Sequence, residues 1–438
     1  MDKDVLFLLG VAAVVIIGLI NIRQLYVTLF VVTMILVPFG NARFLPRSVL
    51  GIQGLNVINI VWVLLFIVTL GLLILKREKL YLREYFSGPI LIILLIYFVA
   101  ALRTIVDLDS LKGATSIMPA GRNMPLGLAT RILNDFIKPV QIVLVGWMVL
   151  VSCHFKGREL VGKALIATTI VLGVVVLFVF FKGAVELGDF DEARMEINRK
   201  LGMHANLLGR IALALFLSIL FFKGKIPSLW RIVSVFMALM IVGVSMSRAC
   251  YGVILLSLFL YYKDIPKNER RLLLGMIGLV VVMLSGVIVG RITYGVDETH
   301  GKIDINAVSA SRVDRIWAPL VPTIEKNILV GLGLHGIRKS EAAKKGTVFS
   351  LSPHSAYFEL ILDSGALGVI LFLAAMYFIY RRSKRYKDEV YYLVIPIVIL
   401  GLTDPTFYPK FTFYYFFVMY ALYRYDVAMD ARGEESAE

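Results

Sequence analysis

Apolar runs follow one another along almost the whole chain, broken by short polar loops. They lie at 5–21, 25–40, 57–75, 88–105, 133–153, 160–182, 204–222, 229–247, 249–262, 271–290, 355–380, 390–404 and 411–425. A helix needs roughly 17–25 apolar residues to cross a bilayer. Most of these runs lack the polar stripe, recurring about every 3.6 residues, that a helix of a soluble core carries. The pattern predicts an all-α, polytopic transmembrane helix bundle of 12 or 13 spans; the tight first pair leaves the count open. The first run follows Met1-Asp2-Lys3-Asp4 and has no small-x-small cleavage site, so it reads as a span and not as a removed signal. No internal repeat, low-complexity segment or soluble domain interrupts the pattern, so residues 1–438 read as a single integral membrane domain.

Composition agrees: 59% of residues are hydrophobic and the mean hydropathy is +0.81. The net charge of +15 does not point to nucleic acid, because the basic residues cluster in short alternating loops. These loops hold Lys76, Arg77, Lys79 and Arg83; Lys156 and Arg158; Lys223 and Lys225; Lys263, Lys267, Arg270 and Arg271; and Arg381, Arg382, Lys384, Arg385 and Lys387. Short basic loops face the cytoplasm, and the C-terminal tail then lies inside too. The side of the N-terminus depends on whether the first pair holds a half-span. Loops 106–131, 183–203 and 291–354 face outward, and the last is long enough to expect a task of its own. The two cysteines, Cys153 and Cys250, fall at opposite faces and are not expected to pair.

The candidate chemistry gathers at the outer side. The 291–354 loop carries Ser311-Arg312-Val313-Asp314-Arg315, then Trp317, Pro319 and Pro322. Arg312 and Arg315 are three apart, so on a helix they would project to one side, and paired guanidinium groups suit a diphosphate. Gly331, Gly333 and Gly336 spell G-x-G-x-x-G, but no strand precedes them and no βαβ unit surrounds them, so they are expected to shape a turn. Arg248 lies where two apolar runs meet at the outer face, and Arg210 one to two turns inside another run, below His204 and Asn206. An arginine at mid-bilayer depth costs about 2.5–3.5 kcal/mol, so each needs an anionic partner or a route to the interface. Residues 186–196 are acidic without a metal-ligand spacing; Arg194 among them could reach an anionic headgroup.

His354 stands at the junction of the long loop and the next run. A neutral imidazole, with its ordinary pKa of about 6.5, can take a proton from a hydroxyl. Ser355 follows it, and Glu359 and Asp363 lie four apart on one helical face. Asp363 is two residues before Gly365, and Gly365 three before Gly368.

The stretch Pro353-His354-Ser355 through Glu359 and Asp363-x-Gly365-x-x-Gly368 resembles the signature of the O-antigen ligase and polymerase superfamily. The Ser247-Arg248 pair and the Ser311-Arg312, Trp317, Gly331-x-Gly333 order upstream resemble it too. Ser355 stands where many relatives have Asn, and Asp363 where many have Glu; whether Arg312 or Arg315 matches the family's loop arginine stays open. The resemblance implies a GT-C-like, inverting glycosyltransferase needing no cofactor or metal. Such an enzyme passes a glycan from undecaprenyl diphosphate to an acceptor hydroxyl at the periplasmic face of a bacterial inner membrane. His354 would be the general base. Arg248, Arg312, Arg315, Arg210 and Arg194 would bind diphosphate, supported by Glu359, Asp363 and Ser355. The acceptor would be lipid A-core or a protein for a ligase, and a growing glycan for a polymerase. A polysaccharide or lipid transporter is the alternative of another class; it would usually show internal repeats and midplane polar sites, whereas the polar residues here concentrate at one face.

Overall fold

The computed structural model describes residues 21–39, 56–76, 81–106, 138–286, 312–348, 353–403 and 411–435, with a few short stretches between them. The first predicted run, 5–21, lies almost wholly outside the described residues. The other twelve each coincide with a helix. In chain order these are α1 (Ile22–Leu36), α2 (Val57–Lys76), α3 (Gly88–Val106), α4 (Lys138–Lys156) and α5 (Arg158–Leu187). Next come the interposed α6 (Phe190–Glu196), then α7 (Ala205–Leu220), α8 (Ser228–Ser245), α9 (Arg248–Tyr261) and α10 (Lys267–Met283). The last are α11 (Ala318–Lys326) within the long loop, then α12 (Ala356–Ser383), α13 (Glu389–Leu400) and α14 (Phe411–Glu435). Two short antiparallel strand pairs, Ser48–Val49 with Ile52–Gln53 and Thr115–Ile117 with Asn123–Pro125, are loop hairpins.

The chain is a polytopic helical membrane protein. Among the described residues six helices are long and apolar enough to cross a bilayer by themselves, namely α1 with its 3-10 extension, α2, α3, α5, α8 and α12. The helices α4 and α13 are apolar but shorter. Their outer surface shows why a membrane is required: Ile74 on α2 is 75% exposed, Phe178 on α5 67% and Phe259 on α9 83%. Side chains of that size facing outward suit lipid, not water.

Within the bundle α14 packs chiefly on α4, α12 on α3, and α7 on α8. Small residues set the closest approaches. A Cβ at Gly146 of α4 would stand 2.8 Å from the Phe417 carbonyl of α14, and one at Gly209 of α7 would collide with the Ser245 hydroxyl of α8. Backbones that close gain the dispersion contact that replaces the hydrophobic effect inside a bilayer.

The 183–203 segment, expected as a loop, is helical. The helix α5 runs on to Leu187, Gly188 closes it in the left-handed region, and Asp189 caps α6 through the Asp191 N–H. A π-helical turn, Ile197–Leu201, extends α6, and the joined helix meets α7 at 86°. Gly202, with φ +68°, makes the break, and the His204 ring accepts the Asn206 N–H to cap α7. We therefore read α6 as lying along the membrane face and His204 as sitting at the mouth of α7, outside the spanning part.

Two ends of the bundle differ. One end gathers the C-termini of α3, α5, α8 and α13 and the N-termini of α7, α9 and α12. The other carries a buried ionic knot. There Arg158 is held between Glu389, at 2.6 Å, and Asp426, while Lys223 reaches Asp388 at 2.9 Å. Burial first, then the neighbouring Asp426 carboxyl, raises the Asp388 carboxyl well above its usual range.

Candidate active site

The end holding the N-termini of α7, α9 and α12 is where the predicted site residues meet. His354 lies in the left-handed region with φ +52°, a conformation rare for a residue with a side chain and costing of order 1–3 kcal/mol unless its surroundings enforce it. They do. On one side the Trp317 indole N–H donates to the Pro353 carbonyl at 2.7 Å. On the other, the Ala356 N–H and the Ser355 hydroxyl both donate to the Gly401 carbonyl, at 2.8 and 3.3 Å. Ser355 also caps α12, its oxygen accepting the Phe358 N–H. The residue predicted to support His354 thus acts by fixing the backbone beside it. Trp317 is itself locked by stacking on Phe358, with ring centroids 5.1 Å apart.

The loop arginines part company. Residues Val313–Trp317 form a π-helical turn, and a wider turn breaks the three-residue alignment expected for Arg312 and Arg315. Arg312 is half-buried and donates from Nη1 to the Thr403 carbonyl at 2.6 Å, whereas Arg315 is exposed. Thr403 belongs to the same turn as Gly401, so one short segment after α13 anchors both Arg312 and the start of α12.

Arg194 reaches from α6 across two helices. Its Nε donates to the Ser245 carbonyl at 3.0 Å and its Nη2 to the Asn206 side-chain oxygen at 2.9 Å. Arg210, buried on α7, donates from Nε to the Asn206 carbonyl at 3.2 Å. These bonds fix the two guanidinium groups at this end of the bundle. Arg194 and Arg210, from the helices on either side of His204, and Arg312, from the long loop, converge here on His204. Burial, then Arg194, Arg210 and Arg312 in that order, hold the His204 imidazole down at about 4, so it is neutral near pH 7. Arg248 opens α9 directly after the left-handed Met246 (φ +53°) and Ser247. It stands three residues beyond the Ser245 carbonyl that holds Arg194.

Glu359 and Asp363 take different parts. The second carboxylate oxygen of Glu359 is buried and meets no donor among the described residues. Asp363 is engaged with the loop, its Oδ1 accepting the Gly336 N–H at 2.7 Å. The helix α12 is broken at Gly365, with φ +70° and ψ −173°. The break frees two carbonyls and an N–H of α12 that the loop then uses. The Leu332 N–H donates to the Leu362 carbonyl at 2.7 Å, the Gly333 N–H to the Asp363 carbonyl at 2.9 Å, and the Ala366 N–H to the Ile328 carbonyl at 2.6 Å. A Cβ on Gly331 (φ +63°) would stand 2.6 Å from the Ser364 and Gly365 nitrogens. The glycines expected to shape a turn do so by letting the loop lie backbone to backbone on α12.

Residues 232–373 match a family model described as O-antigen ligase. Over that stretch, about a third of the chain, the sequence is similar to the O-antigen ligase family. The stretch runs from α8 into α12 and includes Arg248, the π turn with Arg312, the glycine loop, His354 and Gly365; Arg194 and Arg210 lie before it. An O-antigen ligase or polymerase type of membrane glycosyltransferase, acting on glycan or lipid-linked substrates, is thereby supported. No curated protein and no solved structure matches.

The turn Gly401–Thr403 was not singled out from the sequence. The signal available was Gly401-x-Thr403-Asp404-Pro405 after an apolar run, a local turn pattern that gives no hint of what its carbonyls hold. His204 was noted only as lying at a helix mouth; its place among arginines from three segments is a tertiary fact. Among the described residues no cluster of His, Cys, Asp and Glu has metal-binding geometry. Cys153 and Cys250 are both buried and form no disulfide.

Proposed function

We propose that this chain transfers a glycan from undecaprenyl diphosphate to an acceptor hydroxyl at the periplasmic face of a bacterial inner membrane. The observation that carries this is the convergence of Arg194, Arg210 and Arg312, from three separate segments, on one bundle end that also holds Arg248 and the pinned His354. The orientation comes from charge: the opposite end bears the short basic loops, which belong in the cytoplasm.

In this reading the arginines bind the diphosphate in the ground state and stabilise the charge that grows on the leaving phosphate as the anomeric bond breaks. Arg312 lies nearest the anchored turn. Arg315, exposed, faces the distal part of the donor. His354 takes the proton of the acceptor hydroxyl as its oxygen attacks the anomeric carbon, and attack from the far side inverts the configuration. Asp363 works at a distance, fixing the loop that carries Trp317 and so the backbone of His354. An apolar cavity of about 300 Å³ between α11 and α12, lined by Val321, Ile324, Tyr357, Phe358 and Val369, offers space for the first isoprene units of the carrier. No residue here names the acceptor, so ligase and polymerase share this site chemistry.

The test is purified protein incubated with a glycan-loaded polyprenyl diphosphate and candidate acceptors, following polyprenyl diphosphate release and product length. Transfer of an intact chain to lipid A-core or protein marks a ligase, and lengthening of the glycan a polymerase. Movement of the intact donor across a vesicle membrane without bond cleavage would sink both.

A further inference from the structure

We infer that a basic pocket at the opposite end of the bundle, between α12 and α14, binds the phosphodiester headgroup of an anionic membrane lipid. The pocket has a volume of about 530 Å³ and is lined by Arg381, Arg382 and Arg385 at the end of α12, by Arg424 of α14, and by Tyr386 and Tyr423. Among the described residues no carboxylate lines it. Three other basic residues at this end are paired: Arg158 with Glu389, Arg231 with Glu269 and Lys387 with Asp264. Among the described residues Arg381, Arg382 and Arg385 form no ion pair.

The general excess of basic residues in cytoplasmic loops explains charge at this end, but not its convergence from two helices on one cavity. The walls are built to hold that charge in place. Arg385 lies 5.8 Å from the Tyr386 ring centroid and Arg424 6.0 Å from that of Tyr423, and Arg424 is tied to the Glu84 carbonyl through its Nε. Guanidinium forks resting on aromatic faces are preorganised for phosphate oxygens.

A soluble anion would meet the same arginines. The lipid is favoured by what adjoins the pocket on α12, where Ile370 is 62% and Tyr377 57% exposed. Acyl chains of a bound lipid would lie along that strip while the headgroup enters the pocket. Basic pockets between spanning helices on the cytoplasmic side suit anionic headgroups for this reason. The inference stands apart from the proposed transfer chemistry, which uses the other end.

The full chain is placed in phosphatidylcholine nanodiscs doped with cardiolipin, and lipid retained on release is counted by native mass spectrometry. Expected is cardiolipin retention about fivefold weaker for each arginine removed. A variant with Arg381→Gln, Arg382→Gln and Arg385→Gln should therefore lose about a hundredfold. A charge-matched control, Lys263→Gln with Lys267→Gln and Arg271→Gln, keeps retention near that of the parent. The single variant Arg382→Gln, which removes one charge and no observed hydrogen bond, covers the case in which the triple variant does not fold. Equal loss in pocket and control variants, no loss in either, or displacement of cardiolipin by millimolar inorganic phosphate overturns the assignment.

Discussion

The indole N–H of Trp317 donates to the carbonyl of Pro353 across 2.7 Å, one residue before His354. This bond ties the π turn that carries Arg312 to the backbone that carries the imidazole. Trp317→Phe keeps the ring against Phe358 but removes the donor. One hydrogen bond is worth about 0.5–1.5 kcal/mol, so turnover is expected to fall about 2- to 10-fold with donor affinity nearly unchanged. Steady-state kinetics on the purified protein check this; an affinity loss larger than the turnover loss would mean the bond serves binding.

At position 354 the choice of replacement matters because the residue sits at positive φ. Asn tolerates that region better than Ala, so His354→Asn preserves the backbone and removes the base. Turnover should drop by about 10²–10⁴ while the donor still binds, as read by isothermal titration with a non-transferable analogue. Retained turnover would remove the base assignment.

Arg312 and Arg315 should differ sharply. Arg312→Gln removes a half-buried cation bonded to the Thr403 carbonyl, and charge-assisted bonds of about 1.5–3 kcal/mol predict a 10- to 100-fold weaker donor affinity. Arg315→Gln removes an exposed one and should cost at most about fivefold. The reverse order would assign the diphosphate to Arg315.

The glycine knot predicts a stability effect. Gly331→Ala adds a Cβ where the α12 backbone already lies and forces a side chain into positive φ, costing at least about 1–3 kcal/mol. Gly275→Ala on α10 meets nothing within 4 Å and should be neutral or slightly stabilising. Thermal unfolding in detergent, comparing the two, separates them.

Asp388 makes stability depend on pH at the other end. Its folded pKa is raised to about 8, by burial and then by Asp426, against about 4 in the unfolded chain. The folded state therefore binds the extra proton between these values. The contribution is fully present below about pH 4 and is lost as pH rises through about 8. Asp388→Asn should flatten the decline in melting temperature between pH 5 and about 8. An unchanged slope would place the pH dependence elsewhere.

Much of this was legible in the chain. Twelve apolar runs became helices at the places their composition indicated, because in lipid a backbone must satisfy its own hydrogen bonds and a helix does so locally. His354 was marked by its place between a long polar loop and an apolar run, and the glycines at 331 and 333 by their spacing. Less legible were segments whose conformation depends on neighbours. Residues 190–201 read as a charged loop but fold as α6 and a π turn, because Arg194 finds the Ser245 carbonyl and the Asn206 side chain only once α7 and α8 are packed.

The sequence by itself determined the class of the molecule, the alternation of its spans and the residue types available for chemistry, since bilayer length and charge bias act on each segment alone. The tertiary structure decided which of those residues meet. Hydrogen bonds among Arg312 and Thr403, Trp317 and Pro353, and Asp363 and Gly336 join positions 27 to 91 residues apart. Such pairings are set by which backbone carbonyls are left unpaired at helix breaks and ends, and no local pattern records that.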